Sequence, residues 1–212
     1  MVEAIRADAA LTRQWTDRGE LDARVLETLG RVPRHRFVPR ALRPAAYENR
    51  PLPIGWGQTI SQPFIVALMT DMLGVAAGDT VLEVGTGSGY QAAVLADLGV
   101  EVRTVEIVAP LAAAAALRLR RLGYDRVVVR EGDGYHGWPE GAPFDAIIVT
   151  AAATHVPPPL VRQLKPGGRM VIPVGQRFRV QQLLLVEKDR RGEVRLRHVL
   201  PVAFVPLTGG HD

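Results

Sequence analysis

TVLEVGTGSGYQAAVLADLG, residues 80–99, is the stretch whose reading decides the fold. TVLEVG is a short apolar run of strand type, and YQAAVLADLG reads as a helix that stops at Gly99. Between them, Gly85, Gly87 and Gly89 let the backbone turn tightly and approach a ligand at the carboxyl end of the strand. The spacing narrows the choice of ligand. A dinucleotide fingerprint requires G-x-G-x-x-G, and position 90 holds Tyr rather than Gly.

Downstream the alternation repeats. EVRTVEI (101–107) reads as a strand, and APLAAAAALRLRRLG (109–123) as a helix of strong formers stopped by Gly123. RVVVREGD (126–133) and FDAIIVTAA (144–152) read as strands, PPLVRQL (158–164) as a helix, and GRMVIPVG (168–175) as a further strand. Strands alternating with helices imply an α/β fold, a doubly wound and mostly parallel sheet with helices on both faces. Residues 180–207 read as two strands joined by a turn at Arg191-Gly192, which adds antiparallel strands at the sheet edge.

Upstream, Ile5, Leu11, Trp15, Leu21, Val25, Leu26 and Leu29 recur at helical spacing, predicting one or two helices over residues 3–30. Residues 31–60 are rich in Pro and Gly and predict an ordered but irregular segment. Residues 63–73 read as a helix opened by Pro63. There are no repeats and no low-complexity linker, so 212 residues predict a single domain. Within it, residues 1–60 form N-terminal helices and a substrate-site segment, 61–175 a cofactor-binding core, and 176–212 the C-terminal strands.

Composition removes several classes. With no cysteine, disulfides, thiolate metal sites and cysteine nucleophiles are excluded. His35, His136, His155, His198 and His211 are scattered, with no HxxxH pair, and no metal is expected. The N-terminus mixes charges with short apolar stretches, unlike a secretory signal, and no apolar run approaches the roughly 20 residues of a membrane span. A cytoplasmic protein without a membrane partner is the expectation. A net charge of +4 tempts a nucleic-acid reading, but the basic residues are 24 Arg and 2 Lys, a bias that codon preference also produces. The densest cluster, RVPRHRFVPRALR (31–43), is interrupted by prolines and lacks the interleaved aromatics of a single-strand platform, so no nucleic-acid partner is expected.

The run from Glu83 to Gly89, E-x-G-x-G-x-G, resembles the first motif of S-adenosylmethionine-dependent methyltransferases, and with it their Rossmann-like fold. Two acids at the ends of successive strands agree. Glu106 can accept hydrogen bonds from both ribose hydroxyls, and Asp133, before Gly134, from the adenine amino group. Glu83 suits either the methionyl end or the glycine loop itself. The expected cofactor residues are therefore Glu83, Gly85, Thr86, Gly87, Ser88, Gly89, Glu106, Asp133 and Gly134, for S-adenosyl-L-methionine and its product S-adenosyl-L-homocysteine.

The acceptor must be read from the site rather than the fold. VTAAATHVPPP (149–159) lacks the Asn/Asp-Pro-Pro-aromatic motif of many enzymes that methylate exocyclic amines of bases. GQTISQP (57–63), the glycine loop, EGDG (131–134), FDAIIVTAAA (144–153), LKPGGRMVIPVG (164–175) and FVPLTG (204–209) together resemble protein-L-isoaspartate O-methyltransferase, in order and spacing, from about Arg31 to Gly209. That resemblance implies a repair enzyme that methylates the free α-carboxyl group of L-isoaspartyl residues in damaged proteins and peptides, giving an ester that leads through succinimide to aspartyl; a monomer is expected, because one substrate groove per chain suffices for that chemistry. Such an acceptor, with a pKa of about 4, is ionised at pH 7, so a catalytic base is unnecessary and alignment in a water-poor site becomes the task. By the resemblance Ser61 is the catalytic position with Thr59 beside it, and Ile60 and Val205 contact substrate. Ser61 or Gln62 also suits a plain helix-capping role.

Two features stay open. The segment 203–209 either lines a peptide groove, where an extended substrate pairs with its backbone, or is an ordinary edge strand ending at Pro206. Trp138 is either packing or recognition. Thr154 and His155 depart from the AAAPEIPP-like pattern of relatives and bear on the groove's rim. A small-molecule or RNA methyltransferase, or a cofactor-binding protein without activity, are the competing readings; the first leaves GQTIS and FVPLTG without a role, and the intact glycines, acids and both hydroxyls speak against the second.

Overall fold

A computed structural model describes residues 1–16, 19–176 and 179–209; His211 lies outside the described residues. Two helices open the chain, α1 (Val2–Thr16) and α2 (Ala23–Arg31), as the apolar spacing predicts. Asp22 caps α2 by accepting the Arg24 N–H at 2.8 Å. Two 3-10 turns, Arg34–Arg36 and Arg40–Ala45, follow.

The segment expected to be irregular then contains a β-hairpin. β1 (Leu52–Gly55) pairs antiparallel with β2 (Gln58–Ile60). Gly55, Trp56 and Gly57 all have positive φ at its tip, a geometry in which Trp56 is the one non-glycine residue. Helix α3 (Pro63–Leu73) has the predicted bounds, is buried along its whole length, and is ended by Gly74 at φ 64°.

The expected βα alternation follows: β3 (Thr80–Val84), α4 (Tyr90–Asp97), β4 (Glu101–Glu106), α5 (Ala109–Arg121), β5 (Val127–Glu131), β6 (Phe144–Val149), α6 (Pro158–Gln163) and β7 (Leu164–Val174). β8 (Gln181–Lys188) and β9 (Val194–Val202) complete the sheet through a turn at Asp189 and Gly192. Its order is β5-β4-β3-β6-β7-β8-β9. The first five strands in that order are parallel, and β8 and β9 are antiparallel. β7 starts at Leu164, four residues ahead of the predicted strand, because Leu164 already pairs with Phe144 before a bulge.

Two apolar layers flank the sheet. On one face Val81, Val102, Ala146 and Ile148 pack with residues of α1 to α4; on the other Leu82, Val84, Ile147 and Met170 pack with α6. The order of connections reverses at β3, which is where open α/β sheets form a crevice beyond their carboxyl ends. Among the described residues, no helix is long and apolar enough to cross a membrane.

Candidate active site

The glycine loop hangs from the carboxyl end of β3. The Gly85 and Thr86 N–H groups both donate to the Val105 carbonyl of β4, at 2.8 and 3.3 Å. Glu106 fixes the next turn: its Oε2 accepts the Gly87 N–H at 2.7 Å and its Oε1 the Val108 N–H at 2.9 Å. Gly85 has φ 95°, and a Cβ placed there would lie 2.5 Å from Thr150 Oγ1. That hydroxyl donates to the Gly85 carbonyl at 2.6 Å. Position 85 therefore demands glycine for both conformation and space.

A cavity of about 50 Å³ opens above the loop, bounded by Val84, Gly85, Gly87, Glu106, Ile107 and Gly134. Its other walls come from the hairpin, at Gln58 and Thr59, and from the C-terminal segment, at Val205 to Thr208. An apolar groove of about 650 Å³ lies alongside, lined by Leu11, Phe64, Ile65, Leu200 and Phe204, with Ser61, Gln62 and Asp8. Thr59, Thr150 and Val205 are walls of both. Among the described residues, neither space has a Lys or Arg side chain in its lining.

Of the expected cofactor residues, Gly85, Gly87, Glu106 and Gly134 reach the cavity wall. The remainder lie outside its lining. Thr86 is buried with its Oγ1 2.6 Å from Thr104 Oγ1, and the buried Ser88 offers its carbonyl to Arg118 Nη1 at 2.7 Å. Gly89, at φ 85°, opens α4. Asp133 Oδ1 accepts the Tyr135 N–H at 2.9 Å, capping a 3-10 turn, while Gly209 packs so closely on its carboxylate that a Cβ there would collide with it.

Glu83 departs furthest from expectation. It is completely buried in β3 between Thr104 and Ile148, not on the cavity wall, and neither carboxylate oxygen has a hydrogen-bond partner. Burial, with a smaller push from the negative charge of Glu106, raises its pKa to about 8. It does not face the cavity.

The structure also places three other features read from the sequence. Ile60 is a core residue, 3% exposed, because its pairing with Leu52 turns it inward; it lines neither space. Neither Ser61 nor Gln62 caps α3 with its side chain: Asn49 Oδ1 accepts the Phe64 N–H at 3.0 Å instead. The tail is not a free edge, since Ala152 donates to the Val205 carbonyl at 2.8 Å and accepts the Leu207 N–H at 2.7 Å. Gln181 occupies both main-chain groups of Phe204. Trp138 lies in neither lining; the Arg103 and Arg130 guanidiniums lie over its ring, 5.7 and 5.2 Å from the centroid. His155 is exposed beside Tyr135 and Thr154. The Arg cluster is dispersed, with Arg34 fully buried and Arg31 bound to Asp97 at 2.6 Å.

The family model for protein-L-isoaspartate(D-aspartate) O-methyltransferase (PCMT) matches residues 6–212. The chain belongs to the protein-L-isoaspartate O-methyltransferase family. Protein-L-isoaspartate O-methyltransferase 2 of Syntrophobacter fumaroxidans is 66% identical over 211 residues, covering all of this chain and 85% of its own length. A solved protein-L-isoaspartate O-methyltransferase matches with a TM-score of 0.83 at 28% identity, over 99% of this chain and 66% of that longer one. A candidate enzyme of the same name from Plasmodium falciparum, solved with S-adenosyl-L-homocysteine, shares the fold, with a TM-score of 0.77, 24% identity and 97% of each chain covered.

Thr150, the hydroxyl that borders both spaces, is not among the site residues expected from the sequence. Its signal was present, as the first residue after the apolar strand β6 at the sheet's carboxyl edge. Leu11 and Asp8 carried no such signal, because only the packing of α1 brings them to the groove.

Proposed function

We propose that this chain transfers the methyl group of S-adenosyl-L-methionine to the free α-carboxyl group of L-isoaspartyl residues in damaged proteins and peptides, and that residues 1–212 act as one methyltransferase domain. The observation that carries the reading is the meeting of the two spaces at Thr59, Thr150 and Val205. One space suits a nucleoside cofactor and the other an acceptor chain.

The donor set fits the cofactor. Gly85 and Gly87 admit a ligand close to the backbone, Glu106 presents a carboxylate to a pair of hydroxyls, and Ile107 and Val108 offer apolar surface to a base. When bound, S-adenosylmethionine supplies an electrophilic methyl group on a positively charged sulfur.

The chain's own contribution is alignment. Thr59 and Ser61 offer hydroxyl donors to the acceptor carboxylate, and among the described residues no cation in either lining locks that charge in the ground state. Val205 and the apolar groove walls exclude water around the acceptor. An ionised carboxylate needs no base; among the described residues, Asp8 is the titrating side chain in the groove lining with Ser61. A monomeric, cytoplasmic protein acting without nucleic acid or membrane completes the proposal.

The test is transfer of labelled methyl groups to matched peptides carrying L-isoaspartate or L-aspartate at one position, with Ser61→Ala in parallel. Base-labile labelling of the isoaspartyl peptide alone, slowed in the variant, is the expected result. No labelling by protein that binds S-adenosylhomocysteine would overturn the assignment.

A further inference from the structure

Ser61 sits in a segment with few bonds of its own. Ile60 is the last residue paired in the hairpin and α3 begins at Pro63, so Ser61 and Gln62 form an unpaired joint between two rigid elements. Two attachments reach it from elsewhere. Arg34 Nη2 donates to the Ser61 carbonyl at 2.7 Å. On the other side, Gln62 Nε2 donates to Asp8 Oδ2 of α1 at 3.2 Å.

The same Asp8 oxygen accepts Asn49 Nδ2 at 2.8 Å. That bond decides which way the Asn49 amide faces, and so points its Oδ1 at the Phe64 N–H, which it caps at 3.0 Å. One carboxylate oxygen thereby ties together α1, the residue that caps α3, and the residue after Ser61. Asp8 lines the groove with Thr59 and Ser61, while no residue of α1 lines the cofactor cavity.

We propose that Asp8 is a positioning residue that holds the Ser61–Gln62 joint in register with the acceptor; this rests on the reading of Ser61 as the hydroxyl at the acceptor carboxylate. It gives α1, which the sequence reading left without a role, a part in catalysis through geometry rather than contact. A carboxylate suits the task because its charge-assisted bonds to two amides are stronger than neutral ones. Misplacement of a reacting group by about 1 Å costs on the order of a hundredfold in rate.

The experiment compares wild type, Asp8→Ala, Asp8→Asn, Ser61→Ala and the Asp8→Ala/Ser61→Ala double variant. It reads kcat and KM for an isoaspartyl peptide, S-adenosylhomocysteine affinity, and hydrogen exchange at the Phe64 N–H. Asp8→Ala should lower kcat/KM by about tenfold or more, with cofactor affinity unchanged and Phe64 exchange faster. Asp8→Asn, which keeps an acceptor oxygen, should restore part of both. In the Ser61→Ala background, removing Asp8 should have little further effect, because residues acting through one another are non-additive. Unchanged kcat/KM in Asp8→Ala, full additivity with Ser61→Ala, or parallel loss of cofactor affinity would overturn the proposal. Wild type inactive on the peptide would overturn the functional reading instead, and unchanged exchange at Phe64 would then dispose of the Asp8 link independently of activity.

Discussion

The guanidinium of Arg34 joins the main-chain carbonyls of Ser61, at 2.7 Å, and Ala46, at 2.8 Å, across 27 and 12 residues of sequence. It is completely buried, without a carboxylate partner, and lies over the Tyr90 ring at 4.8 Å. Burial lowers its pKa, yet a guanidinium stays charged at any working pH. The fork geometry is what the two carbonyls require. A lysine ammonium at the same place cannot reproduce both directions. Arg34→Lys is expected to lower stability by roughly 2–4 kcal/mol in urea unfolding, since two charge-assisted bonds are disturbed, and to reduce peptide methylation beyond the loss of folded protein. Unaltered turnover per folded molecule would show that the Ser61 carbonyl needs no anchor.

Glu83 makes stability depend on pH. Its pKa is 4.5 in an ordinary setting and about 8 when folded. Between those values the folded protein holds a proton that the unfolded chain has released, so stability falls as pH rises through this window and levels off above it. Glu83→Gln removes the titration. From about pH 6 to about pH 8 the wild type should lose roughly 2 kcal/mol more than the variant, at up to ~1.4 kcal/mol per pH unit. Denaturant unfolding of both proteins across that range measures the difference, and identical slopes would mean that Glu83 is ionised in the fold at neutral pH.

Gly85→Ala should weaken cofactor binding through crowding more than through backbone strain. A Cβ there meets Thr150 Oγ1 at 2.5 Å, and φ is 95°. Gly123, at φ 79° with nothing within 4 Å of its Cβ position, is the control for strain alone. Gly123→Ala should cost about 1 kcal/mol of stability and leave S-adenosylhomocysteine affinity intact. Calorimetry should find Gly85→Ala weakened at least about tenfold, as expected when a buried wall is displaced. Equal affinities in the two variants would contradict the crowding argument.

Leu11 tests the groove. It lies on α1, is 74% exposed and lines the apolar space beside Ser61. Leu11→Glu introduces a charge where an acceptor peptide is expected to lie. KM for an isoaspartyl peptide should rise several-fold with kcat nearly unchanged, the pattern of lost uniform binding. Stability should move by no more than about 0.5 kcal/mol, as for exposed positions generally. An unchanged KM would place the peptide elsewhere.

The elements from residue 63 onward were legible because each carries its own period or punctuation. α3 keeps its predicted bounds between Pro63 and Gly74, and the strands of the parallel sheet are short apolar runs. The hairpin at Leu52–Gly55 and Gln58–Ile60 was not, because Pro53, Gly55 and Gly57 in so short a pair read as irregular chain. Its tip at Trp56 also forces a non-glycine residue to positive φ, which no propensity scale anticipates.

The sequence alone determined the strand–glycine loop–helix unit, the acids at Glu106 and Asp133, and the family-specific segments around Ser61 and Val205, since all are local patterns set by backbone geometry and residue chemistry. Only the tertiary structure decided which of these residues face the site. Glu83 and Ile60 turn inward because strand pairing assigns each side chain to one face of a sheet. Thr150, Leu11 and Asp8 come to the site because β6 ends beside the glycine loop and α1 folds back over the joint at Ser61. Those placements depend on contacts between residues tens of positions apart, which a linear pattern does not contain.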